Sequence, residues 1–326
     1  MKKKINYLWI DDAPDRIQAA KNIERLLKIK VSFEDVKGKF LSDELSRILT
    51  GNQPTLILID HKLNNVKRGI ISHGSTAAEV IREKWPQCPI ICVTGVPLED
   101  VEQHQKNIYE DIYEINKLSE HYASIKSIAD SYALLRKQRP QKIEDVIKII
   151  EVPSADESRL ASIIPDDLKS NLKDKSMFMM ISKWVRNTLI MKPGFLYDTL
   201  WTATLIGVKE KSFHKVQNIF KQAKYVGIFA DKSNQRWWAT MTKEILYAKY
   251  PNSDSNLPWE IGRNLPLSKR DFSACHACGK DYPETVGYTD EAAKTLVPLH
   301  MRCSVSHPRF EKSLYFDDIR MMKAPA

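Results

Sequence analysis

The sequence predicts an α/β domain with a doubly wound, five-stranded parallel sheet, followed by a mainly α-helical domain that ends in a small metal-tied module. Three observations predict this architecture. Short apolar runs alternate with helical patterns in the first half of the chain, helical apolar spacing dominates the second half, and three of the five cysteines crowd into residues 275–303. Strands that alternate with helices are typical of a parallel sheet covered on both faces.

Length and composition limit the possible classes. A chain of 326 residues fits two domains, because single domains commonly hold about 100 to 200 residues. The hydrophobic content of 43% and the charged content of 28% are ordinary for a globular protein and disfavour global disorder. We therefore expect a first domain over residues 1–137, a connection over 138–159 and a second domain over 160–326.

Five strands and five helices are predicted in the first domain. A strand buried in a parallel sheet is apolar along its whole length because helices cover both faces, and the Leu-Ile-Leu-Ile run at residues 56–59 fits that description. The predicted strands span residues 5–10, 31–35, 56–59, 90–93 and 111–115. The predicted helices span residues 15–27, 41–49, 75–84, 98–107 and 119–136.

The second domain begins after two breaks in the pattern, at residues 137–141 and 153–158, with a helix up to Ile150 between them. Proline and glycine become more frequent from Pro251 onward. The end of the chain, with the metal-tied module at about residues 262–310, is therefore expected to be irregular. Apolar spacing predicts helices at residues 177–191, 196–206 and 213–225.

The apolar pattern and the net charge limit the location and the partners of the protein only broadly. No apolar run approaches the roughly 18 residues that cross a bilayer, and the start Met-Lys-Lys-Lys leads into a strand pattern rather than a signal peptide. We expect a cytoplasmic protein without membrane contact. The net charge of +9 is spread over long segments with many interleaved acids, so it permits a nucleic acid or another anionic partner without supporting one.

Polar residues follow the predicted strands where ligands bind in open α/β sheets, at the carboxyl ends. Asp11 and Asp12 end the first strand, Asp60 ends the third, Thr94 ends the fourth, and Lys117 follows the fifth. Three converging carboxylates need a cation to offset their repulsion, and hard oxygen ligands select magnesium or manganese. Between that metal and the Lys117 ammonium, Asp60 is a candidate nucleophile toward phosphorus, and Thr94 is a candidate donor to a phosphoryl oxygen.

Over about 137 residues, the strand order and these five positions resemble the receiver domain of two-component response regulators, which has a flavodoxin-like fold. The resemblance implies that Asp12 and Asp60 bind the metal directly, together with the main-chain carbonyl of Lys62. It also implies that Asp11 acts through water.

For phosphoryl chemistry, the same resemblance implies that Asp60 is phosphorylated and that Thr94 and Lys117 contact the phosphoryl group. The implied partners are a histidine kinase or another phosphodonor and, as a further possibility, a second copy of the chain.

Several positions depart from the receiver pattern. Leu118 follows the lysine where receivers usually have a proline, and Glu114 stands where an aromatic switch residue is usual. Tyr113, one position earlier, should face the other way in a strand. The loop over residues 61–74 is long and either covers the pocket or forms a solvated insertion. It carries Lys62, Lys67, Arg68 and His73.

The cysteine cluster consists of two knuckles, Cys275-His-Ala-Cys278 and His300-Met-Arg-Cys303, separated by 21 residues. Four such ligands close a tetrahedral zinc site with no open position, so the predicted zinc is structural rather than catalytic. The alternatives are free buried thiols, or a variant site that uses His276 or His307.

The sequence thus predicts a response-regulator-like signalling protein that accepts a phosphoryl group on Asp60 and is not an enzyme. Its output is expected to pass through the helical, zinc-containing domain to a protein partner. Two alternatives stay open: a receiver-fold adaptor or phosphate-storing interaction protein in a defence or stress system, and a DNA-binding regulator.

Overall fold

The chain divides into two compact units in a computed structural model that describes residues 6–67, 69, 73–174, 176–288 and 295–306. The first unit comprises Met1–Ile149 and Ile164–Trp184, and the second comprises Ile150–Ile163 and Val185–Ala326. This division differs from the predicted 1–137, 138–159 and 160–326. Residues 164–184 group with the first unit, where the Phe178 ring lies edge-on to Tyr132 with 6.2 Å between ring centroids.

The first unit contains the predicted five-stranded parallel sheet. Every strand begins and ends within one residue of its predicted bounds, and the strand order is β2-β1-β3-β4-β5. All four pairings are parallel. The strands are β1 (Asn6–Asp11), β2 (Lys30–Asp35), β3 (Leu56–Asp60), β4 (Ile90–Thr94) and β5 (Asp111–Glu114).

Helices connect these strands and cover the sheet. The five between and after the strands are α1 (Ile17–Leu27), α2 (Leu41–Leu49), α3 (Gly74–Lys84), α4 (Gln103–Lys106) and α5 (Tyr122–Gln138). The other helical segments of the unit are the 3-10 turns Pro14–Arg16, Leu98–Asp100 and Ile115–His121 and the helices Ile143–Ile150, Asp166–Ser170 and Met177–Trp184. The predicted connection over residues 138–159 contains the helix Ile143–Ile150, where a helix up to Ile150 was predicted, and the start of the helix Ser154–Ile163.

The predicted helix over residues 98–107 is wrong as a continuous element. A 3-10 turn at Leu98–Asp100 and the four-residue α4 replace it. Val101 and Glu102, between them, have extended backbone angles, with ψ of 119° and 143°. An extended pair cannot carry the helical hydrogen-bond ladder, so the helix is interrupted there.

Strand residues alternate between the two faces of the sheet. Trp9, Leu58 and Ile91 are fully buried on one face, and the opposite face packs on α2 and α3. The core between that face and the two helices includes Leu8, Ile10, Leu41, Leu45, Ile57, Ile59, Ala77, Ala78, Ile81, Ile90 and Cys92. Burial on both faces explains why all residues of β3 and β4 before the final Asp60 and Thr94 are apolar.

The second unit contains helices and two short antiparallel strand pairs. Its helices are Ser154–Ile163, Thr199–Leu205, Glu210–Phe213, Ala239–Lys249, Pro258–Ile261 and Met301–Ser306, with a π-helical stretch at Val185–Ile190 and 3-10 turns at Lys221–Ala223, Gly262–Asn264 and Lys269–Asp271. The strand pairs are Leu196–Tyr197 with Trp237–Trp238 and Thr285–Tyr288 with Leu296–Leu299.

The predicted helix over residues 213–225 is also wrong. Val216 donates to the Phe213 carbonyl and Ala223 donates to the Phe220 carbonyl, which are three-residue rather than four-residue steps. Phe213, Val216, Phe220 and Ala223 are nevertheless buried in one core. The apolar spacing identified the buried face, but successive tight turns satisfy it as well as an α-helix does.

Among the described residues, no helix combines the length and the apolar content that crossing a membrane requires.

Candidate metal centres

Three carboxylates meet at the carboxyl end of the sheet in the first unit. Asp11 ends β1 and is followed by Asp12, and Asp60 ends the neighbouring strand β3, where Ile10 and Ile59 are paired in register. One oxygen from each carboxylate lies within 4.8 Å of the others. The side chains of Asp11, Asp12 and Asp60 are 0%, 3% and 4% exposed. The predicted convergence of these three residues is present.

Local hydrogen bonds orient two of the carboxylates. The Trp9 indole donates to Asp11 Oδ2 over 3.0 Å, and the Ala13 amide donates to Asp11 Oδ1 over 2.9 Å. The Asn65 amide donates to Asp12 Oδ2. Both Asp11 and Asp12 are therefore held in position by the surrounding chain, which favours a pre-formed ligand set.

Arg16 is the cation that the structure places in this cluster, and the sequence analysis missed it. Its Nη1 lies 2.9 Å from Asp11 Oδ2 and 2.9 Å from Asp60 Oδ1. The 3-10 turn Pro14–Arg16 follows β1 and returns the side chain over the strand end. A basic residue four positions after Asp12, in a turn that begins with proline, was the only sequence signal.

The electrostatics of the cluster favour an additional cation. Burial raises the pKa of Asp60 to about 6, while the hydrogen bond from Arg16 opposes the rise and the charges of Asp11 and Asp12 add to it. Burial also raises the pKa of Asp11. One guanidinium cannot neutralise three ionised carboxylates, and hard oxygen donors suit Mg²⁺ or Mn²⁺. The residues present thus fit a divalent metal, which Asp11, Asp12 and Asp60 would hold.

Thr94 lies at the adjacent strand end, as predicted. It is the last residue of β4, whose Val93 pairs with Asp60, and its side chain is buried. Its hydroxyl accepts a hydrogen bond from the Val96 amide over 3.1 Å. The hydroxyl hydrogen therefore remains available to a group bound at Asp60.

Lys117 does not lie where the sequence analysis expected it. Its Nζ lies 2.7 Å from Glu114 Oε2, and 57% of its side chain is exposed. Glu114 is the residue that replaces the usual aromatic, and its carboxylate holds the ammonium on the surface. An acceptor three residues away thus binds the ammonium in this structure, and the contact of Lys117 with a phosphoryl group stays a prediction.

The neighbouring departures also have structural outcomes. Leu118 is buried, and Tyr113 is buried and stacks on His121 with 4.2 Å between ring centroids. The role of the Lys62 carbonyl as a metal ligand stays a prediction.

The described residues of the 61–74 loop form main-chain hydrogen bonds with Gly38 and Lys39, which follow β2. The Gly38 amide donates to the Asn65 carbonyl over 2.7 Å, and the Lys67 amide donates to the Lys39 carbonyl over 2.8 Å. The Gly74 amide closes the loop by donating to the His61 carbonyl over 3.0 Å. Arg68 and residues 70–72 lie outside the described residues.

The four cysteine-module residues converge in the second unit. Ligand atoms of Cys275, Cys278, His300 and Cys303 all lie within 4.8 Å of one another. Cys278 Sγ lies 3.3 Å and Cys303 Sγ 3.9 Å from His300 Nδ1. His276 is exposed and outside the cluster. His307, the other alternative ligand, lies outside the described residues.

Groups around the cysteine cluster set the protonation of its ligand atoms in a way that favours metal binding. His300 Nε2 lies 2.8 Å from the Asp281 carbonyl. An acceptor there requires the proton on Nε2, which leaves the Nδ1 lone pair directed at the sulfurs. The Lys280 amide lowers the pKa of Cys278 to about 7, whereas burial and the neighbouring thiols raise the pKa of Cys303 to about 11. One thiolate forms readily and the next needs a cation, as expected for a zinc site.

The chain was compared with protein families, curated proteins and solved structures, and the receiver-domain structures match about the N-terminal 40% of it. No protein-family model matches the chain. No curated protein matches it either. A CheY-like receiver domain from Methanospirillum hungatei JF-1 is 17% identical, with coverage of 40% of this chain and 98% of that one and a TM-score of 0.31.

Two further solved structures are of the same kind. The N-terminal domain of a response regulator/sensory box/GGDEF protein from Carboxydothermus hydrogenoformans is 16% identical and covers 40% of this chain and 97% of its own, with a TM-score of 0.32. The Thermotoga maritima response regulator TrrA, in complex with Mg²⁺-BeF, is 19% identical and covers 35% of this chain and 93% of its own, with a TM-score of 0.27. The structural neighbours of the N-terminal part of this chain are CheY-like response regulator receiver domains, and the C-terminal part is not identified.

Proposed function

We propose that the first unit is a phosphoryl acceptor of the receiver type, in which Asp60 takes a phosphoryl group in the presence of Mg²⁺ or Mn²⁺. The observation that carries this proposal is the convergence of three buried carboxylates from two neighbouring strand ends. The second unit, with structural zinc at its Cys3His cluster, transmits the output to a protein partner. In this role the protein is a signalling acceptor rather than an enzyme.

The proposed reaction is a phosphoryl transfer from a phosphohistidine of a histidine kinase or from a small acyl phosphate. A carboxylate oxygen of Asp60 attacks the phosphorus, and a new O–P bond forms. The P–N bond of phosphohistidine, or the P–O bond of the acyl phosphate, breaks, and the leaving group keeps the electron pair. The bound metal supplies charge neutralisation. The Thr94 hydroxyl donates to a phosphoryl oxygen.

Intact-mass spectrometry after incubation with acetyl phosphate and Mg²⁺ tests this proposal. We expect one added phosphoryl group on the wild type and none on Asp60→Asn. Asp35→Asn is the matched control, since Asp35 also ends a strand, beside Asp11 in register, but stands outside the carboxylate cluster. Equal modification of wild type and Asp60→Asn, or no modification of the wild type, would contradict the proposal.

Metal analysis of the purified protein tests the zinc site. We expect one zinc per chain in the wild type and loss of zinc in Cys278→Ala. Cys88→Ala is the control, because Cys88 is a buried thiol in the first unit. A wild type without zinc, or a Cys278→Ala protein that keeps it, would contradict the assignment.

A second candidate function is a receiver-fold adaptor that binds its partner regardless of phosphate. The Lys117–Glu114 ion pair favours it, because an ammonium held outside the cluster does not report on the state of Asp60. Oligomeric state and partner binding, measured with and without beryllofluoride, separate the two candidates. A change with beryllofluoride supports the signalling acceptor, and identical behaviour supports the adaptor. The DNA-binding alternative stays a prediction that salt-dependent binding to duplex DNA would test.

A further inference from the structure

The Arg16 guanidinium bridges two carboxylates of the cluster, Asp11 and Asp60. Its Nη1 contacts Asp60 Oδ1 and Asp11 Oδ2, each at 2.9 Å. Its Nη2 extends toward the turn after β4, where a Cβ on Gly95 would lie only 3.1 Å from it. The side chain is 17% exposed. Arg16 therefore lies between the acceptor carboxylate and the turn that contains Thr94 and Gly95.

Glycine at position 95 makes room for this arrangement. A side chain there would press on Nη2 at a distance tighter than ordinary contact. The residue directly after Thr94 is thus small where the guanidinium passes.

Lys117, the cation that the sequence analysis expected beside Asp60, pairs with Glu114 instead. Its ammonium is 2.7 Å from Glu114 and largely exposed, and the charges that act most strongly on it are those of Glu114, Glu120 and Glu99. The charged groups that act most strongly on Asp60 are Arg16, Asp11 and Asp12. The cation that contacts Asp60 therefore comes from the turn after β1, where Arg16 lies, and not from the segment after β5, where Lys117 lies.

We propose that Arg16, in place of Lys117, binds the phosphoryl group carried by Asp60. This inference rests on the proposed function of Asp60 as acceptor. A guanidinium suits the role because its planar fork can donate to two phosphoryl oxygens at once, whereas an ammonium acts as a point charge. Before transfer, the same guanidinium offsets part of the carboxylate charge. Once Asp60 carries the phosphoryl group, the guanidinium exchanges its contact with Asp11 for phosphoryl oxygens.

Calorimetric titration of the full-length protein tests this assignment. Mg²⁺ is titrated alone, and beryllofluoride is then titrated at saturating Mg²⁺, with wild type, Arg16→Gln and Lys117→Gln. We expect Arg16→Gln to weaken beryllofluoride binding about tenfold to 100-fold, the size of a charge-assisted contact. Its Mg²⁺ affinity should be unchanged or higher, since a competing cation has been removed. Lys117→Gln should change either affinity less than about twofold.

Each other outcome overturns the inference in a recognisable way. Loss of beryllofluoride binding in Lys117→Gln with retention in Arg16→Gln would return the role to the lysine. A parallel loss of Mg²⁺ and beryllofluoride binding in Arg16→Gln would make Arg16 only a structural counter-ion. A wild type that binds neither probe would instead refute the proposed function itself.

Arg16→Lys keeps the experiment decisive if Arg16→Gln does not fold. It preserves one charge but not the fork, so we expect beryllofluoride binding to weaken severalfold while Mg²⁺ binding and melting temperature stay near wild type. Wild-type beryllofluoride affinity in Arg16→Lys would contradict the inferred two-point contact.

Discussion

Gly74 at the start of α3 lies directly against the main chain of Asp60. A Cβ at position 74 would overlap the Asp60 carbonyl oxygen and crowd the carbonyl carbon at 2.9 Å. The residue that ends β3 and the residue that begins α3 are therefore in contact across the whole 61–74 loop. Any side chain at position 74 must displace the backbone of the proposed acceptor.

The first prediction follows from this contact. Gly74→Ala should lower the free energy of unfolding by about 1–3 kcal/mol, because overpacking against rigid backbone forces a main-chain shift. It should also weaken Mg²⁺ binding, because Asp60 moves with that shift. Chemical denaturation and Mg²⁺ titration measure the two effects. Gly69→Ala is the control in the same loop, since its Cβ would meet only ordinary contacts, the nearest at 3.6 Å from the Phe40 ring.

A second prediction concerns pH. Burial raises the pKa of Asp60 from its ordinary value of 3.8 to about 6. Between those values the folded protein binds more protons than the unfolded chain, so the stability of the metal-free protein must fall as the pH rises through this window. Asp60→Asn should remove that part of the decline. Melting temperatures of both metal-free proteins from about pH 4 to pH 8 measure it.

Mg²⁺ should have the opposite dependence on pH. It binds the ionised carboxylate, so its stabilisation of the wild type should be larger at about pH 7.5 than at about pH 5. Thermal unfolding with and without Mg²⁺ at both values gives the comparison. Equal stabilisation at both pH values would be inconsistent with a ligand whose pKa lies near 6.

The third prediction concerns the indole that orients Asp11. Trp9→Phe removes the donor to Asp11 Oδ2 and should lower Mg²⁺ affinity about tenfold, the lower end for a group that orients a metal ligand. Trp85→Phe is the matched control, because it also removes a buried indole from the first unit but stands away from the cluster. A similar loss of Mg²⁺ affinity in both variants would show that core packing rather than the hydrogen bond matters.

The fourth prediction concerns removal of zinc. A strong chelator should accelerate hydrogen exchange in residues 275–288 and 295–303, because the ligand set ties those segments together. Exchange in β1, β3 and β4 should not change, because the carboxylate cluster belongs to the other unit. Mass-spectrometric hydrogen exchange with peptide resolution measures both regions. Unchanged exchange across the cysteine module would argue against a structural metal.

Local pattern was sufficient for the sheet and for the convergence of its acidic residues. β3 and β4 are apolar before their polar last residues, Asp60 and Thr94, because both faces of a parallel sheet are covered, and that burial is visible in the sequence. Asp11, Asp12 and Asp60 meet because parallel neighbours end at one edge. Cys275, Cys278, His300 and Cys303 likewise converge, since two short knuckles define a tetrahedral ligand set with little dependence on the rest of the fold.

The apolar pattern was insufficient to predict the local structure where two kinds of turn bury the same spacing of apolar residues. Phe213, Val216, Phe220 and Ala223 are buried together on successive tight turns instead of an α-helix. Residues 164–184 follow the predicted linker but group with the first unit, because association of helices depends on surfaces that are far apart in the sequence.

The sequence by itself determined the parallel sheet, the three carboxylates at its edge and the four ligands of the cysteine module, because strand periodicity and short-range spacing encode them. Only the tertiary structure decided which cation enters the carboxylate cluster. Lys117 has the expected position in the chain, yet Glu114 binds its ammonium, and Arg16 reaches Asp60 from the turn after β1. A long, flexible basic side chain pairs with the acceptor that is nearest in space, and the order of residues in the sequence does not reveal that distance.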